Sequence, residues 1–534
     1  MWKKERMVSV ILAIIAGILV FGCVKGGESN TTQRNVNVKK ELVYAAPTEM
    51  GDINIHLYAG DMTVQDMVFE PLVDNTNEGI KPALAESWDI SPDGREYVFH
   101  LRKGVTFHDR EPFNAEAVKL NFDAIMSNVE RHAWMSLTQK IQSYEALDEY
   151  TFKMVLSEAY YPTLVELGLT RPFRFASPAD FINGGTKDGV KGYSGTGAWI
   201  LKEHVPDQYA VFDGNPDYWN GMPEIEKLTR KVLPIGLTTI LALEKGEVDI
   251  LFTNQGANMF DAEALRQIEA MNKYKIVMSN AVVTKMLLAN TSNISSPISD
   301  EQVRMALWYA LDRNIIASNI TNGMDIPADT LFAKSVSYCN IPLENRPCDL
   351  EKARQLLEGS GWRMNGEYRT KGGKPLEITL NYTLSKAGEK AICEYIQSQC
   401  QQIGLKVNVE GVDRVVAVRT TPGFDIVLDY TWGAPYDPQS TLSAFHGSNS
   451  YKIPTSGMKN IDAILKSIDS ALVEFDETKR QVFFTYALTE IHNQASFIPI
   501  TYGSLMIVAP VYLENIGFNQ SQYEIPFDRF TYRK

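Results

Sequence analysis

The sequence predicts an α/β protein with at least two lobes. Its 534 residues exceed what a single hydrophobic core normally serves. The 44% apolar and 22% charged residues are typical of a folded globular protein. From about residue 41, segments with strand alternation interleave with segments of helical periodicity, and no internal repeat is present.

The first 40 residues are predicted to lie outside this fold. Three basic residues precede an uncharged apolar run that ends at Cys23 and is shorter than the roughly 20 residues of a spanning helix. This pattern predicts an export signal over residues 1–22, and the sequence VFGC resembles a lipoprotein cleavage box with Cys23 as the lipidated residue. The polar stretch 23–40 then forms a tether. An uncleaved membrane anchor is the alternative, and it leaves the domain on the same side of the membrane.

Charge and motifs exclude two classes of function. A formal net charge of −13 with no run of Lys or Arg argues against a nucleic-acid partner, because phosphate binding needs a concentrated basic surface. The chain has no HExxH, GxSxG or Walker motif, so we expect neither an enzyme nor a catalytic cofactor.

Four further cysteines follow Cys23. Cys339 and Cys348 flank a proline-containing loop that a disulfide would close, and export permits such a bond, so this pairing stays open. Cys393 and Cys400 lie seven residues apart in a predicted helix, too far along its axis to bridge each other. We expect both to be buried thiols, and none of these spacings indicates a zinc site.

The first local elements are a strand and a helix. Residues 97–101 (YVFHL) alternate, so Tyr97, Phe99 and Leu101 share one face. Asn114 is the predicted N-cap of a helix with an apolar stripe at positions 118, 122 and 125.

Further along, Asp349 caps a helix that ends at Gly359. The stretches LEITLNY and GLKVNVEG bracket a helix around Cys393. A strand–helix–strand unit of this length is suited to a parallel strand pair.

Several stretches, in order from about Glu41 to the C-terminus, resemble one known family. They are PALAESWDISPDGREYVFHLRKGVTFHDREPFNAEAV, GTGAWI, NPDYWNG, LALEKGEVDIL, ALDRNII and ARQLLEGSGW. The chain is identified by them as similar to the extracytoplasmic solute-binding proteins of peptide and nickel ABC transporters. The resemblance implies the two-lobed periplasmic-binding-protein fold, with mixed sheets and a ligand cleft between lobes joined by a hinge. It implies lobe I over 41–280, lobe II over 281–504 and a return to lobe I over 505–534.

Four stretches resemble the nickel-binding branch of that family, namely HLYAGDM, RHAWMSL, LTRPFRF and TWGAPYDP. The resemblance implies a monomer outside the cytoplasmic membrane that delivers its ligand to a permease driven by separate ATPase subunits. The implied ligand is a Ni(2+)–chelator complex, in which a small carboxylate-bearing chelator wraps the metal and the protein grips mainly the chelator. Nickel, cobalt and other divalent ions stay open.

The resemblance also implies site residues. Ligand contacts carry over to Arg171, Trp134, Trp432, Tyr436, Tyr58, Met62 and Arg131. Arg174 stays an alternative to Arg171, because their spacing does not decide which of them faces the cleft. The metal-binding histidine of the branch falls near Ser450, so His446, four residues earlier, is the candidate metal ligand. His56 and His132 are interpreted as structural.

These residue types suit a chelated metal. A guanidinium presents a rigid fork of donors that matches a carboxylate, and indole rings exclude water around that pair. In TWGAPYDP, glycine and prolines predict a rigid loop that holds Trp432 and Tyr436 at the cleft. The seven histidines include no pair with the spacing of a preformed site, as expected for a receptor that must release its metal.

Peptide binding is the nearest alternative. Dipeptide receptors of this family carry, three residues after the loop tryptophan, an aspartate that pairs with the peptide's ammonium group. Here that position is Pro435, and Asp437 matches the family's structural Asp-Pro. The pocket is therefore expected to lack the anion that a peptide N-terminus needs. A chemosensory receptor subunit with the same fold is a third possibility.

Overall fold

The computed structural model describes residues 40–76, 78–234, 236–253, 262–386, 388–431, 436–446, 451–519 and 521–533. The predicted signal, the lipidation site Cys23 and the tether up to residue 39 lie outside the described residues. So do Trp432, Pro435 and Ser450. No helix among the described residues is both long enough and apolar enough to cross a membrane.

The described residues form strands and helices that are interspersed along the chain. The strands are β1 Glu41–Ala46, β2 Val73–Thr76, β3 Gly79–Pro82, β4 Ala85–Ile90, β5 Glu96–Leu101, β6 Ile141–Asp148, β7 Thr151–Leu156, β8 Phe181–Ile182, β9 Gly185–Val190, β10 Trp199–Val205, β11 Tyr209–Gly214, β12 Lys227–Val232, β13 Ile250–Thr253, β14 Tyr274–Ala289, β15 Asp325–Pro327, β16 Arg363–Asn365, β17 Tyr368–Lys371, β18 Lys374–Pro375, β19 Glu377–Thr383, β20 Lys406–Val412, β21 Ile426–Tyr430, β22 Phe497–Pro510, β23 Leu513–Glu514 and β24 Thr531–Tyr532. The helices are α1 Met62–Val68, α2 Ala115–Met126, α3 Ser136–Lys140, α4 Thr163–Leu167, α5 Leu237–Lys245, α6 Ala262–Ala270, α7 Glu301–Ala310, α8 Arg313–Ile315, α9 Leu350–Gly359, α10 Glu389–Gln401, α11 Val415–Arg419, α12 Pro438–Ser443, α13 Lys452–Thr455, α14 Ile461–Val473 and α15 Glu477–Asn493. Short 3-10 turns lie at Val129–His132, Pro178–Asp180, Pro297–Ser299 and Phe527–Arg529, and a π-helical turn lies at Ile316–Ile320.

One mixed sheet runs through the described residues in the order β10-β11-β12-β1-β13-β22-β14-β21-β19-β20, with β15 also paired to β22. The pairs β1–β12, β1–β13, β19–β20 and β19–β21 are parallel, and the remaining pairs in this sheet are antiparallel. A four-stranded antiparallel sheet, β4-β5-β7-β6, lies apart from it. The predicted α/β class is therefore confirmed.

The long strands β14 and β22 join the two halves of the main sheet. They span 16 and 14 residues and pair with each other in antiparallel register. That register shifts on both sides of Ala281, which faces Ser504. Such bulges locally bend and twist a strand pair. The predicted lobe boundaries at 280/281 and 504/505 fall at this facing pair, and the boundaries themselves stay a prediction.

Two of the four apolar cores in the described residues pack on different parts of this sheet. One gathers residues between 42 and 69 together with residues between 507 and 530, so the C-terminal segment packs against the N-terminal part of the chain. The other is built from residues between 287 and 500. Residues that are far apart in the sequence can therefore belong to the same core.

The local predictions are confirmed. Strand β5 buries Tyr97, Phe99 and Leu101, and Asn114 accepts a hydrogen bond from the Ala117 N–H as the N-cap of α2. In the same way, Asp349 caps α9, which ends at Gly359. The strands β19 and β20 are parallel neighbours on either side of α10.

The cysteines outside the signal region are thiols in the structure. Cys339, Cys393 and Cys400 are buried, whereas Cys348 is exposed, and none of them forms a disulfide. The pairing of Cys339 with Cys348 that the sequence left open is thus absent here. The prediction of buried thiols at 393 and 400 is confirmed.

The GTGAWI stretch shows why the chain needs glycine beside α1. Gly197 donates its backbone N–H to the Val68 carbonyl at 3.0 Å, and a Cβ added to Gly195 would overlap that same carbonyl. The glycines let this segment run directly along the end of α1, which begins with the candidate ligand residue Met62.

We predict that Gly195→Ala lowers the free energy of unfolding by about 1–3 kcal/mol, because a backbone carbonyl must move to admit the methyl group. Urea denaturation measures the change. Gly185→Ala is the matched control, since a Cβ there meets nothing within 4 Å, and its expected effect is below about 0.5 kcal/mol. Equal effects of the two substitutions would contradict the packing argument.

Candidate functional site

The candidate site is a cavity of about 410 Å³. This volume lies within the range of small-molecule sites. Its described lining comes from the N-terminal part (Tyr58, Met62, Trp134, Leu169, Thr170 and Arg171), from the C-terminal segment (Gln522 and Tyr523) and from the second half of the chain (Val283, Lys386, Val416, Arg419, Asp429, Tyr430 and Thr431).

Arg171 supplies a cation that has no ion-pair partner among the described residues. Its Nη1 donates to the Ala59 carbonyl at 3.4 Å, and its guanidinium carbon lies 5.2 Å from the centre of the Tyr58 ring. No carboxylate among the described residues forms an ion pair with it. Burial lowers the pKa of Arg171, and the neighbouring Tyr58, Tyr523 and Asp61 only partly oppose that effect. An anionic group entering the cavity would therefore stabilise this side chain.

Arg174, the alternative to Arg171, is a structural residue. It is 3% exposed, its Nη1 lies 3.0 Å from Asp66, and its Nη2 lies 3.0 Å from Glu524. Asp66 belongs to α1, and Glu524 also accepts a hydrogen bond from the Thr170 hydroxyl at 2.9 Å. The buried Arg174 guanidinium thus connects three segments that contribute to the cavity lining. Arg171, not Arg174, is the arginine that lines the cavity.

Tyr58 forms the wall between Arg171 and Trp134. Its backbone is in the left-handed region (φ 56°), and its hydroxyl lies 2.7 Å from His132 Nδ1. The Trp134 ring meets the Tyr58 ring edge-on, with 5.7 Å between the ring centres. Trp134 is 44% exposed and lines the cavity, so part of its indole ring remains open to solvent.

Met62 is placed by the start of α1. Asp61 is the N-cap of this helix, and it accepts the Thr63 N–H at 2.8 Å. The same carboxylate accepts a hydrogen bond from buried Arg230 at 2.6 Å. Met62 therefore projects from a fixed helix end, and it lines the cavity as predicted.

The second half of the chain contributes charges that are already paired. Arg419 forms an ion pair with Asp429, and its guanidinium lies over the Tyr451 ring. Lys386 Nζ lies 3.5 Å from the centre of the Tyr430 ring and 3.7 Å from Glu389. This wall of the cavity is thus close to neutral.

Two buried polar atoms on the lining have no hydrogen-bond partner within the described part of the chain. They are Arg419 Nε and Gln522 Oε1. Each residue is more than nine-tenths buried. Such atoms are candidates for direct hydrogen bonds to a ligand, since an unpaired buried polar group is costly.

Sequence reasoning missed this second wall. Lys386 follows β19 and Asp429 lies near the end of β21, which are neighbouring parallel strands. The carboxyl ends of parallel strands are a common location for ligand contacts, so the strand prediction alone held a usable signal. Gln522 lies in no motif, and we find no sequence signal that would have identified it.

Three predicted residues lie elsewhere. The Tyr436 hydroxyl is bonded to Thr284 at 2.6 Å and to the Ala333 N–H at 3.0 Å, and Tyr436 lines a separate cavity of about 380 Å³. Arg131 donates to the Leu57 carbonyl at 2.7 Å. His446 Nε2 lies 2.9 Å from Asp469. None of the three lines the candidate cavity, and their ligand roles stay predictions, as does that of Trp432, which is not among the described residues.

No group of three or more His, Cys, Asp or Glu residues in the described ranges is arranged to hold a metal ion. The cavity instead combines a cation, aromatic rings and a thioether. Two lobes joined through one sheet, with such a cavity between them, define a solute-binding protein of the periplasmic-binding type.

Comparison with known proteins specifies the family. Residues 79–452 match the middle region of family 5 of the bacterial extracellular solute-binding proteins, and the chain belongs to this family. It is 38% identical to the nickel-binding periplasmic protein of Escherichia coli K12 over 496 residues, which is 92% of this chain and 94% of that protein.

Two further similarities bear on the site. The crystal structure of NikA from Brucella suis in complex with Fe(III)-EDTA matches with a TM-score of 0.88 and 35% identity, covering 92% of this chain and 99% of the other. Di/tripeptide-binding protein 2 of Pseudomonas aeruginosa is 26% identical over 447 residues, 79% of this chain and 81% of that protein. The predicted family and two-lobed fold are confirmed.

We predict opposite stability effects for the two neighbouring arginines. Arg174→Met leaves Asp66 and Glu524 buried without a cation, so the free energy of unfolding falls by about 3–5 kcal/mol. Arg171→Met, its control, removes a cation that has no ion-pair partner among the described residues and changes the value by less than about 0.5 kcal/mol. Urea denaturation measures both. A loss with Arg171→Met as large as with Arg174→Met would show that both arginines are structural.

Proposed function

We propose that the protein is the substrate-binding component of an ABC importer that captures nickel, or a similar divalent metal, in complex with a small carboxylate-bearing chelator. The observation that carries this proposal is the Arg171 guanidinium, which is partly buried in the cavity and has no carboxylate partner among the described residues. A guanidinium in this setting attracts a carboxylate and repels a bare metal cation. The ligand therefore presents an anionic group to the protein.

The rest of the lining favours recognition of a chelator. Asp429 is the one carboxylate among the described lining residues, and Arg419 already neutralises it. The described lining contains no histidine or cysteine, and Met62 offers a single soft thioether. Such a cavity does not strip a divalent ion from its chelator, which suits a receptor that must pass the complex on.

The relatives agree with this chemistry. The E. coli relative carries the name of a nickel-binding protein, and the Brucella suis relative holds iron wrapped in a polycarboxylate. A peptide ligand is the alternative, given the Pseudomonas relative. A peptide's ammonium group requires a free carboxylate, and the described lining provides none.

The proposed mechanism is closure of two lobes around the ligand. The cavity lining comes from both halves of the chain, and the shared strands β14 and β22 carry register shifts around Ala281 where bending is expected. Shifting such an equilibrium from mostly open to mostly closed requires about 5.5 kcal/mol of preference for the closed form. Trp432 and Tyr436 are proposed to complete the cavity wall. His446 would have to leave Asp469 before it could ligate the metal.

The proposal includes the location of the protein. Cleavage before Cys23 and lipidation of its thiol would anchor the domain outside the cytoplasmic membrane. The polar tether 23–40 would then let the domain reach the permease, while separate ATPase subunits drive transport. What supports this part is the sequence pattern together with the extracellular character of the family.

We predict that Arg171→Ala weakens binding of a nickel–histidine complex about 10- to 150-fold, the equivalent of a charged hydrogen bond of about 1.5–3 kcal/mol. Isothermal titration calorimetry with nickel plus histidine, and with nickel alone, measures it. Arg110→Ala, at an exposed turn, is the matched control and retains the parental affinity. Equal affinity of Arg171→Ala and the parent protein would exclude the proposed role.

A second prediction separates the two ligand classes. Protein purified without added metal and measured by native mass spectrometry is expected to retain a metal together with a small organic acid. Holding the same sample at low pH, which protonates most chelators, should release that mass. Retained masses that correspond to short peptides would favour the alternative function.

A further inference from the structure

His132 lies directly behind the candidate site. It is fully buried, it ends the short turn Val129–His132, and its Nδ1 lies 2.7 Å from the Tyr58 hydroxyl. Burial lowers the pKa of His132 to about 4, helped by the nearby Arg131 charge, so the ring is neutral at pH 7. Its other ring nitrogen has no hydrogen-bond partner in the described residues. The bond to Tyr58 is thus the hydrogen bond that this ring makes to the site.

Tyr58 needs such an anchor. Its left-handed backbone conformation costs a residue other than glycine about 1–2 kcal/mol, and such a conformation persists only where surrounding contacts enforce it. The same ring carries the Arg171 guanidinium on one side and the edge of Trp134 on another. A displacement of Tyr58 would therefore move both residues that face the ligand.

Three residues of the stretch RHAW contact Leu57 and Tyr58. Arg131 holds the Leu57 carbonyl, His132 holds the Tyr58 hydroxyl, and Trp134 packs against the Tyr58 ring. Gln65 supports the same loop, because its Nε2 donates to the Ala59 carbonyl at 2.9 Å. This arrangement also gives Arg131 a function although it does not line the cavity.

We propose that His132 is a positioning residue for ligand binding, because it fixes the Tyr58 ring against which Arg171 and Trp134 are held. This inference rests on the proposed function of the cavity. His132 does not touch the ligand. It preorganises the groups that do, and preorganisation raises affinity by reducing the ordering cost of binding.

A double-mutant cycle tests the proposal. His132→Leu removes the hydrogen-bonding nitrogen, and Tyr58→Phe removes only the hydroxyl. Each single variant is expected to weaken binding of nickel–histidine and of Fe(III)–EDTA about tenfold, the size of one neutral hydrogen bond. The double variant is expected to lose no more than Tyr58→Phe alone, because Tyr58→Phe already removes the bond to His132 together with the hydroxyl's hydrogen bond to Trp134.

Rescue distinguishes positioning from a general loss of packing. His132→Asn places an amide near the position of Nδ1 and can either donate to or accept from Tyr58. Its affinity is expected to stay within about threefold of the parent, since the hydrogen bond is kept. His100→Leu, at an exposed strand position, is the matched control and leaves binding unchanged. Circular dichroism and the thermal midpoint establish that each variant is folded.

The outcomes separate this inference from the proposed function. The positioning role would be overturned if Tyr58→Phe bound the complexes as tightly as the parent protein. It would also be overturned if the loss of affinity in the double variant equalled the product of the two single losses. Either result would leave the Arg171 site intact. Where His132→Leu does not fold, parental affinity of Tyr58→Phe still overturns the positioning role, and His132→Asn still tests it. A parent protein that binds neither complex would contradict the proposed function, and the role of His132 would fall with it.

Discussion

The Arg171 guanidinium lies in a cavity where burial disfavours its charge and where no described carboxylate forms an ion pair with it. Such a group is held in place only if the surrounding structure is stable enough to tolerate it. Arg174, three residues later, forms ion pairs with Asp66 and Glu524. One arginine of this stretch is thus paired twice, whereas its neighbour has no ion-pair partner among the described residues. This division of roles explains why two arginines in one short stretch have different chemistry.

The main sheet connects the two lobes. Strands β14 and β22 are shared by both halves, so any movement between the lobes must pass through this strand pair. Its regular hydrogen bonding is interrupted around Ala281, and the segments on either side belong to separate apolar cores. Close-packed cores resist deformation, so bending is concentrated where the register already shifts. The cavity residues themselves can then remain in fixed positions on each lobe.

The sequence predicted the fold well because its signals are local. Asn114 and Asp349 cap their helices through their own side chains, and alternation in YVFHL assigns the buried face directly. The candidate site was predicted in part, since Arg171, Trp134, Tyr58 and Met62 line one cavity. Lys386 was missed although it follows a predicted strand, whereas Arg419 and Gln522 come from separate elements that only the tertiary fold brings to the cavity. His132 was interpreted as structural, and the structure places it fully buried, with its ring bonded to the Tyr58 hydroxyl and outside the described cavity lining.

The distribution of charge over the cavity indicates how a ligand is selected. On the wall formed by the second half, Arg419 is neutralised by Asp429, and Lys386 is accompanied by Glu389. The unpaired charge is on the first lobe, next to the exposed Trp134 ring. In the proposed mechanism, the first lobe therefore recognises mainly the charge of the ligand, before the lobes close. The second lobe would then select mainly by shape and by its unpaired hydrogen-bonding atoms, so complexes of equal charge but different size would be distinguished on closure.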